Sequence, residues 1–207
     1  MGRHIPVLAF VLFALAGCGE QQSPPQRGGE GGSVQVYFSP KGGAMEAVVR
    51  ELNGARKTVR VQAYSFTSQP IAKALVEAKK RGVDVEIVVD KSQRGERYTE
   101  ADFTANQGVP TYVDARHAIA HNKIALIDGE TLLTGSFNFT KAAEESNAEN
   151  LLVIKGFPDL VRQYERNYDL HKGHSEVYRG KGEPEEHISA EGDEEGIRPQ
   201  KQSRRKK

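Results

Sequence analysis

Residues 117–138 read HAIAHNKIALIDGETLLTGSFN, two strand-like patterns with no helical stretch between them. Asp128-Gly129 is a preferred pair for a two-residue type I′ turn, so the segment predicts a β-hairpin. A loop of just those two residues sets His121 opposite Ser136 and Lys123 opposite Thr134. Side chains alternate along a strand, so His121, Lys123, Ser136 and Asn138 are expected on one face. Ile124, Leu126, Leu133 and Phe137 then form the core on the other.

Strand and helix patterns alternate on either side of this hairpin. Residues 34–38 (VQVYF) alternate as a strand, and Met45, Val48, Val49 and Leu52 follow as one helical stripe. Residues 58–66 (TVRVQAYSF) are β-branched and alternating. Ser68 offers a helix N-cap, Pro70 suits the first turn, and Ile71, Ala74, Leu75 and Ala78 form a second stripe that stops at Gly82. A strand at 83–90, a short helix near 98–107 and a strand at 109–113 lead into the hairpin. Phe157, Leu160, Val161, Tyr164 and Tyr168 make a closing helix. The β-α-β-α-β order predicts one α/β domain over 33–172, with a mixed, mostly parallel sheet flanked by helices. No glycine-rich phosphate loop follows the first strand, which argues against the usual nucleotide site.

The polar face of the hairpin carries the chemistry. It gathers an imidazole, an ammonium, a hydroxyl and a carboxamide. Such a set can hold the non-bridging oxygens of a phosphoryl group while a ring nitrogen attacks phosphorus. His117 and His121 are four residues apart on an extended segment, about 13 Å by strand rise, too far to share a metal ion. Neither a metal nor a cofactor is expected. Asp128 sits at the turn, remote from His121, where an aspartate side chain characteristically binds nearby backbone.

The spacing His121-x-Lys123-x4-Asp128-x6-Gly135-Ser136-x-Asn138 resembles the signature of the phospholipase D superfamily. The surrounding AHNKIALIDGETLLTGSFNFTKAAEESNAEN most resembles its small bacterial endonuclease branch. The resemblance covers essentially all of 33–172. It implies that His121 forms a phosphohistidine, that Lys123 and Asn138 hold the phosphate, and that Ser136 assists there or braces its own hairpin. It also implies that a carboxylate at Glu149 hydrogen-bonds the catalytic histidine. Superfamily members use two motifs. The nearest second candidate here, His171-Lys172, lacks both the intervening residue and the Gly-Ser-x-Asn. Single-motif members resemble one another in pairing two chains at the motif-bearing face, so a homodimer is implied. Glu149 also admits a plain strand-edge reading, and Lys141 and Arg116 are as readily surface charges as substrate contacts.

Outside the domain the sequence changes character. Arg3 and His4 precede an apolar run from Ile5 to Ala16, too short for a membrane span but suited to an export signal over 1–17. Leu15-Ala16-Gly17-Cys18 resembles a bacterial lipobox, with Cys18 as the lipidated residue; cleavage after Ala16 is the alternative. The expected location is the cell envelope, facing the periplasm or the exterior, with the lipid anchor as the only membrane contact. Residues 19–32 (GEQQSPPQRGGEGG) read as a flexible linker. Residues 173–207 read as a disordered charged tail, with seven acids in 183–195 and six bases from Arg198 onward.

Substrate is less legible than chemistry. The chain has 29 basic and 28 acidic residues for a net charge of +1, which excludes a strongly basic nucleic-acid arm. Its single cysteine excludes a disulfide framework and a four-cysteine zinc cage. The domain itself holds 19 bases against 18 acids. Nucleic acid is the expected substrate by resemblance, phospholipid headgroups are the alternative, and a catalytically silent phosphate-binding module is the reading from another class.

Overall fold

The structure, a computed structural model, describes residues 31–181 and the backbone of Gln26–Arg27. The export segment, Cys18 and the charged tail beyond residue 181 lie outside the described residues. The chain order is β1 (Gln26–Arg27), β2 (Ser33–Ser39), α1 (Ala44–Gly54), β3 (Thr58–Ala63), α2 (Gln69–Lys80), β4 (Asp84–Asp90), α3 (Glu100–Asn106) and β5 (Thr111–Asp114). It continues with β6 (Lys123–Ile127), β7 (Thr131–Gly135), α4 (Lys141–Glu145), β8 (Glu149–Lys155), α5 (Pro158–Gly173) and β9 (Glu176–Tyr178).

These strands form one sheet in the order β1-β2-β8-β7-β6-β3-β4-β5-β9. It is a mixed α/β domain, as the alternation predicts. The expectation of a mostly parallel sheet is corrected, because among the described residues only β3-β4 and β4-β5 are parallel and the other six pairings are antiparallel. The cause is the hairpin itself. β6, β7 and β8 are inserted between β2 and β3, and β6 and β7 are joined by a short turn, which can only return the chain antiparallel.

Helical stripes bury both faces of the sheet. Ala44, Ala47, Val48 and Leu52 of α1 pack with Ile71, Leu75 and Ala78 of α2 on one face, against Val59, Val61, Ile87, Ala125 and Leu133. Val161 and Tyr168 of α5, with Leu160 and Tyr164, cover Val88, Ile124, Leu126 and Leu132 on the other. Leu133 therefore lies opposite Ile124 and Leu126 rather than beside them. At the start of α2, Ser68 occupies the N-cap position, but its hydroxyl donates to Met45 Sδ at 3.3 Å instead of capping.

That face assignment follows from the turn. Asp128 (φ 56°) and Gly129 (φ 69°) adopt the left-handed pair of a type I′ turn, and Glu130 N–H donates to Ile127 O at 3.0 Å. The first ladder pair beyond it, however, is Ile127 with Thr131. Glu130 is an extra, bulged residue, so Ile124 rather than Lys123 faces Thr134. A one-residue slip exchanges the faces of a strand.

The domain limits also move. β1 pairs with Ser33 and Val34, so two linker residues belong to the sheet. β9 pairs antiparallel with β5 and buries Tyr178, whose hydroxyl donates to Asp102 Oδ1 at 2.5 Å, so the first residues of the expected tail are structured. Among the described residues no helix is long and apolar enough to cross a membrane.

Candidate active site

One edge of the sheet collects the ends of the strands that carry polar residues. Ser39 at the end of β2 pairs with Glu149 at the start of β8, and Ala63 at the end of β3 pairs with Lys123 at the start of β6. Asp90 closes β4 at the same edge. Its carboxylate accepts from Ser92 N–H at 2.8 Å and from Ala120 N–H at 2.7 Å, which fixes the loop leading to His121.

His121 is exposed, and Lys123 is 6% exposed. The Lys123 ammonium donates to His121 O at 2.6 Å and lies 5.0 Å from the ring centroid of Tyr64. The Tyr64 and His121 rings are 4.5 Å apart at 54°. One aromatic ring thus supports both groups, by cation–π attraction and by ring packing. Burial draws the Lys123 ammonium below the usual lysine range, and the nearby charge of Glu149 draws it partly back. Tyr64 was not among the residues singled out from sequence. Its position at the end of the strand pattern 58–66 is the only local signal it gives.

The Gly-Ser-x-Asn stretch is shaped by a close backbone approach. Ser136 N–H and Phe137 N–H both donate to Asn150 O at 3.1 Å. A Cβ on Gly135 would come within 2.3 Å of that oxygen, so only glycine fits. Ser136 Oγ accepts from Asn150 N–H at 3.1 Å and from Asn150 Nδ2 at 3.3 Å, which ties the motif to β8. Phe137 and Phe139 are buried anchors on either side of Asn138. Asn138 Oδ1 is buried and accepts no hydrogen bond from the described residues.

Among the described residues Glu149 makes no hydrogen bond to His121. Its Oε1 accepts from Asn147 Nδ2 at 3.1 Å and its charge faces Lys123. Asp128 lies at the opposite end of the hairpin from His121, and is no catalytic group by position. Its Oδ1 accepts from Lys57 N–H at 2.7 Å and Thr58 N–H at 2.9 Å, and its Oδ2 from Arg56 N–H at 2.9 Å. Burial favours the protonated form, but these three donors outweigh it and hold the carboxyl below the usual range. The backbone it binds is the distant 56–58 loop, which local turn chemistry did not indicate.

Most other charged side chains near the strand ends and helix ends are paired. Lys172 donates to Glu86 Oε1 at 2.6 Å, and His171 Nδ1 lies 2.6 Å from Asp114 Oδ2, so His171-Lys172 forms no second motif. Arg94 pairs with Glu176, Lys80 with Glu77 at 2.8 Å and Lys141 with Glu145 at 3.6 Å. Arg97 lies 5.4 Å from the ring centroid of the exposed Tyr98. Asp114, His117, His171 and His174 converge with ligand-type atoms within 4.8 Å of one another, a group able to hold a metal ion. Sequence spacing from His117 to His121 could not disclose it, because two members come from the end of α5.

Comparison with known proteins places this geometry among relatives. Residues 48–171 match a family model described as cardiolipin synthase, PLD-like domain. A phospholipase D of Rickettsia typhi is 33% identical over 146 residues, covering 70% of this chain and 71% of that protein. A mitochondrial cardiolipin hydrolase of Chlamydomonas reinhardtii is 27% identical over 180 residues, covering 75% and 80%. The crystal structure of Nuc, a phospholipase D family member from Salmonella typhimurium, superimposes with a TM-score of 0.70 at 42% identity, covering 72% of this chain and 99% of that one.

Proposed function

The chain belongs to the phospholipase D superfamily of phosphodiester hydrolases, and from that premise we propose that it is an endonuclease working as a homodimer through a phosphohistidine intermediate. The observation that carries the reading is the exposed His121 beside the buried Lys123 at the start of β6, whose ammonium donates to His121 O.

His121 of one protomer attacks phosphorus as the bond to the leaving oxygen breaks. His121 of its partner gives that oxygen a proton. The partner imidazole then takes a proton from water, the hydroxide attacks phosphorus, and the first His121 is released. Lys123 and Asn138 hold the non-bridging oxygens while charge builds on them. Tyr64 fixes the ring plane of His121, and Ser136 braces the motif against β8. These side chains supply attack, proton transfer and charge stabilisation themselves, which supports a metal-independent step.

Nucleic acid is favoured by the motif's likeness to the endonuclease branch and by the Arg97–Tyr98 pair on the loop that follows Asp90, a cation and an aromatic of the kind on which bases stack. Phospholipid is the second reading. The phospholipase D and cardiolipin hydrolase relatives motivate it, as does the lipobox-like Leu15-Ala16-Gly17-Cys18, which supports a lipid-anchored protein of the envelope.

The deciding experiment incubates the chain from Gly19 onward with plasmid DNA and, separately, with phosphatidylcholine or cardiolipin vesicles, beside a His121→Asn control. DNA cleavage that is absent from the control and indifferent to added Mg2+ supports the nuclease. Headgroup release without DNA cleavage makes the protein a phospholipase.

A further inference from the structure

We propose that Asp114, His117, His171 and His174 form a structural binding site for a zinc-type transition-metal ion, which fastens the loop bearing His121 to the end of α5. The four ligand-type atoms lie within 4.8 Å of one another. His171 Nδ1, His117 Nδ1 and His174 Nε2 lie 2.6, 3.1 and 3.3 Å from a single oxygen, Asp114 Oδ2. A tetrahedral zinc ion with bonds of about 2.0–2.1 Å spaces its ligands by about 3.3 Å, so small side-chain rotations convert this cluster into a coordination shell.

Donor and acceptor accounting points the same way. His171 Nδ1 takes Asp114 Oδ2, while His117 Nδ1 sits between the two oxygens, 3.1 Å from Oδ2 and 3.2 Å from Oδ1. The third, His174 Nε2, is buried and makes no hydrogen bond. The three imidazoles pack 4.8 to 5.5 Å apart, centroid to centroid, around that carboxylate. A divalent cation at this point accepts a lone pair from each of the three ring nitrogens and from the carboxylate.

The surroundings suit such a site. Asp114 is fully buried, and its second oxygen accepts from Arg116 N–H at 3.0 Å, a fixed outer contact of the sort that orients metal ligands. His171 and His174 stand in the last turn and at the C-cap of the 16-residue α5, where the helix dipole favours positive charge. His117, the most exposed of the four, leaves a route from solvent. Four protein ligands leave no open position, so the ion has a structural rather than a catalytic task. The Lys91 ammonium donates to His117 O at 2.9 Å and Asp90 accepts from Ala120 N–H, so the segment between the cluster and His121 is held at both ends.

The test uses the purified full chain, stripped with chelator and titrated with Zn2+, Co2+, Mg2+ or Ca2+. One equivalent of Co2+ is expected to give the strong visible absorption of a four-coordinate site. Free Zn2+ at about 100 times its Kd raises Tm by about 5–10 °C. Mg2+ and Ca2+, which prefer oxygen ligands, have no such effect. His171→Ala with His174→Ala weakens Zn2+ binding more than about 100-fold. His117→Ala, at a half-exposed position that packing tolerates, weakens it and alters the Co2+ spectrum, whereas His121→Asn changes neither. Absence of stoichiometric binding, or wild-type binding by His117→Ala, overturns the proposal independently of any enzymatic activity.

Discussion

The ring of Tyr64 lies 4.5 Å from that of His121 while its face receives the Lys123 ammonium at 5.0 Å, so one aromatic side chain braces the two residues that the phosphoryl mechanism asks most of. Tyr64→Phe keeps the ring and is expected to retain activity within about threefold. Tyr64→Leu frees the imidazole and should lower kcat by about 10–100-fold with an unchanged unfolding curve. Equal losses in both variants would assign the contribution to the hydroxyl instead.

Glu149 and Lys123 are coupled by charge, with a defined sign. Burial lowers the Lys123 ammonium and Glu149 raises it. The alkaline fall of kcat/KM should therefore lie below the ordinary lysine range. Glu149→Gln removes the restoring charge and should move that fall to lower pH still. A pH–rate profile that stays in place, or moves upward, refutes the coupling.

Asp128 holds the 56–58 backbone from the far end of the hairpin. Asp128→Ala should cost about 2–3 kcal/mol in urea unfolding while leaving kcat of the folded protein nearly unchanged. Its carboxyl titrates below the unfolded value, so its stabilising contribution is complete above the ordinary aspartate range and is lost as pH falls through the folded pKa. The gap between wild type and Asp128→Asn should narrow from pH 7 to pH 3. A gap that widens on acidification contradicts the anchor.

Gly135→Ala brings a methyl group to 2.3 Å from Asn150 O. Relief requires the backbone to move, and the two N–H donors of Ser136 and Phe137 move with it. A loss of about 1–3 kcal/mol is expected together with near-complete loss of activity, read from thermal unfolding and turnover of the surviving folded fraction.

If each centre uses His121 from both protomers, wild type and His121→Asn unfolded together and refolded in equal amounts should retain about one quarter of the activity. Retention of about one half indicates that each chain works alone.

The helices and most strands were legible because each carries its period locally. Met45, Val48, Val49 and Leu52 mark α1, and Leu160, Val161, Tyr164 and Tyr168 mark α5. His121, Lys123, Ser136 and Asn138 were legible as a spaced motif, which lies at the start of β6 and just past the end of β7, although the slipped register no longer derives a shared face for them. The register was not, because turn chemistry selects Asp128-Gly129 but says nothing of the bulge at Glu130. Nor was β9, whose Val177 and Tyr178 are too few for an alternation to register amid charged residues. The histidine cluster depends on β5 meeting the end of α5, a contact 57 residues long in sequence, which no local spacing encodes.

The sheet begins and ends with two very short strands. Two-residue β1 covers part of β2, and three-residue β9 covers β5. With nine strands about 4.8 Å apart, the two margins stand about 40 Å from each other. A protein trimmed to residues 33–172, the limits that composition suggests, would lose both covers and bare two rows of unpaired peptide groups on opposite flanks. Each row is a template for another copy to add its own strand, so such a fragment is expected to associate edge to edge more readily than the longer chain.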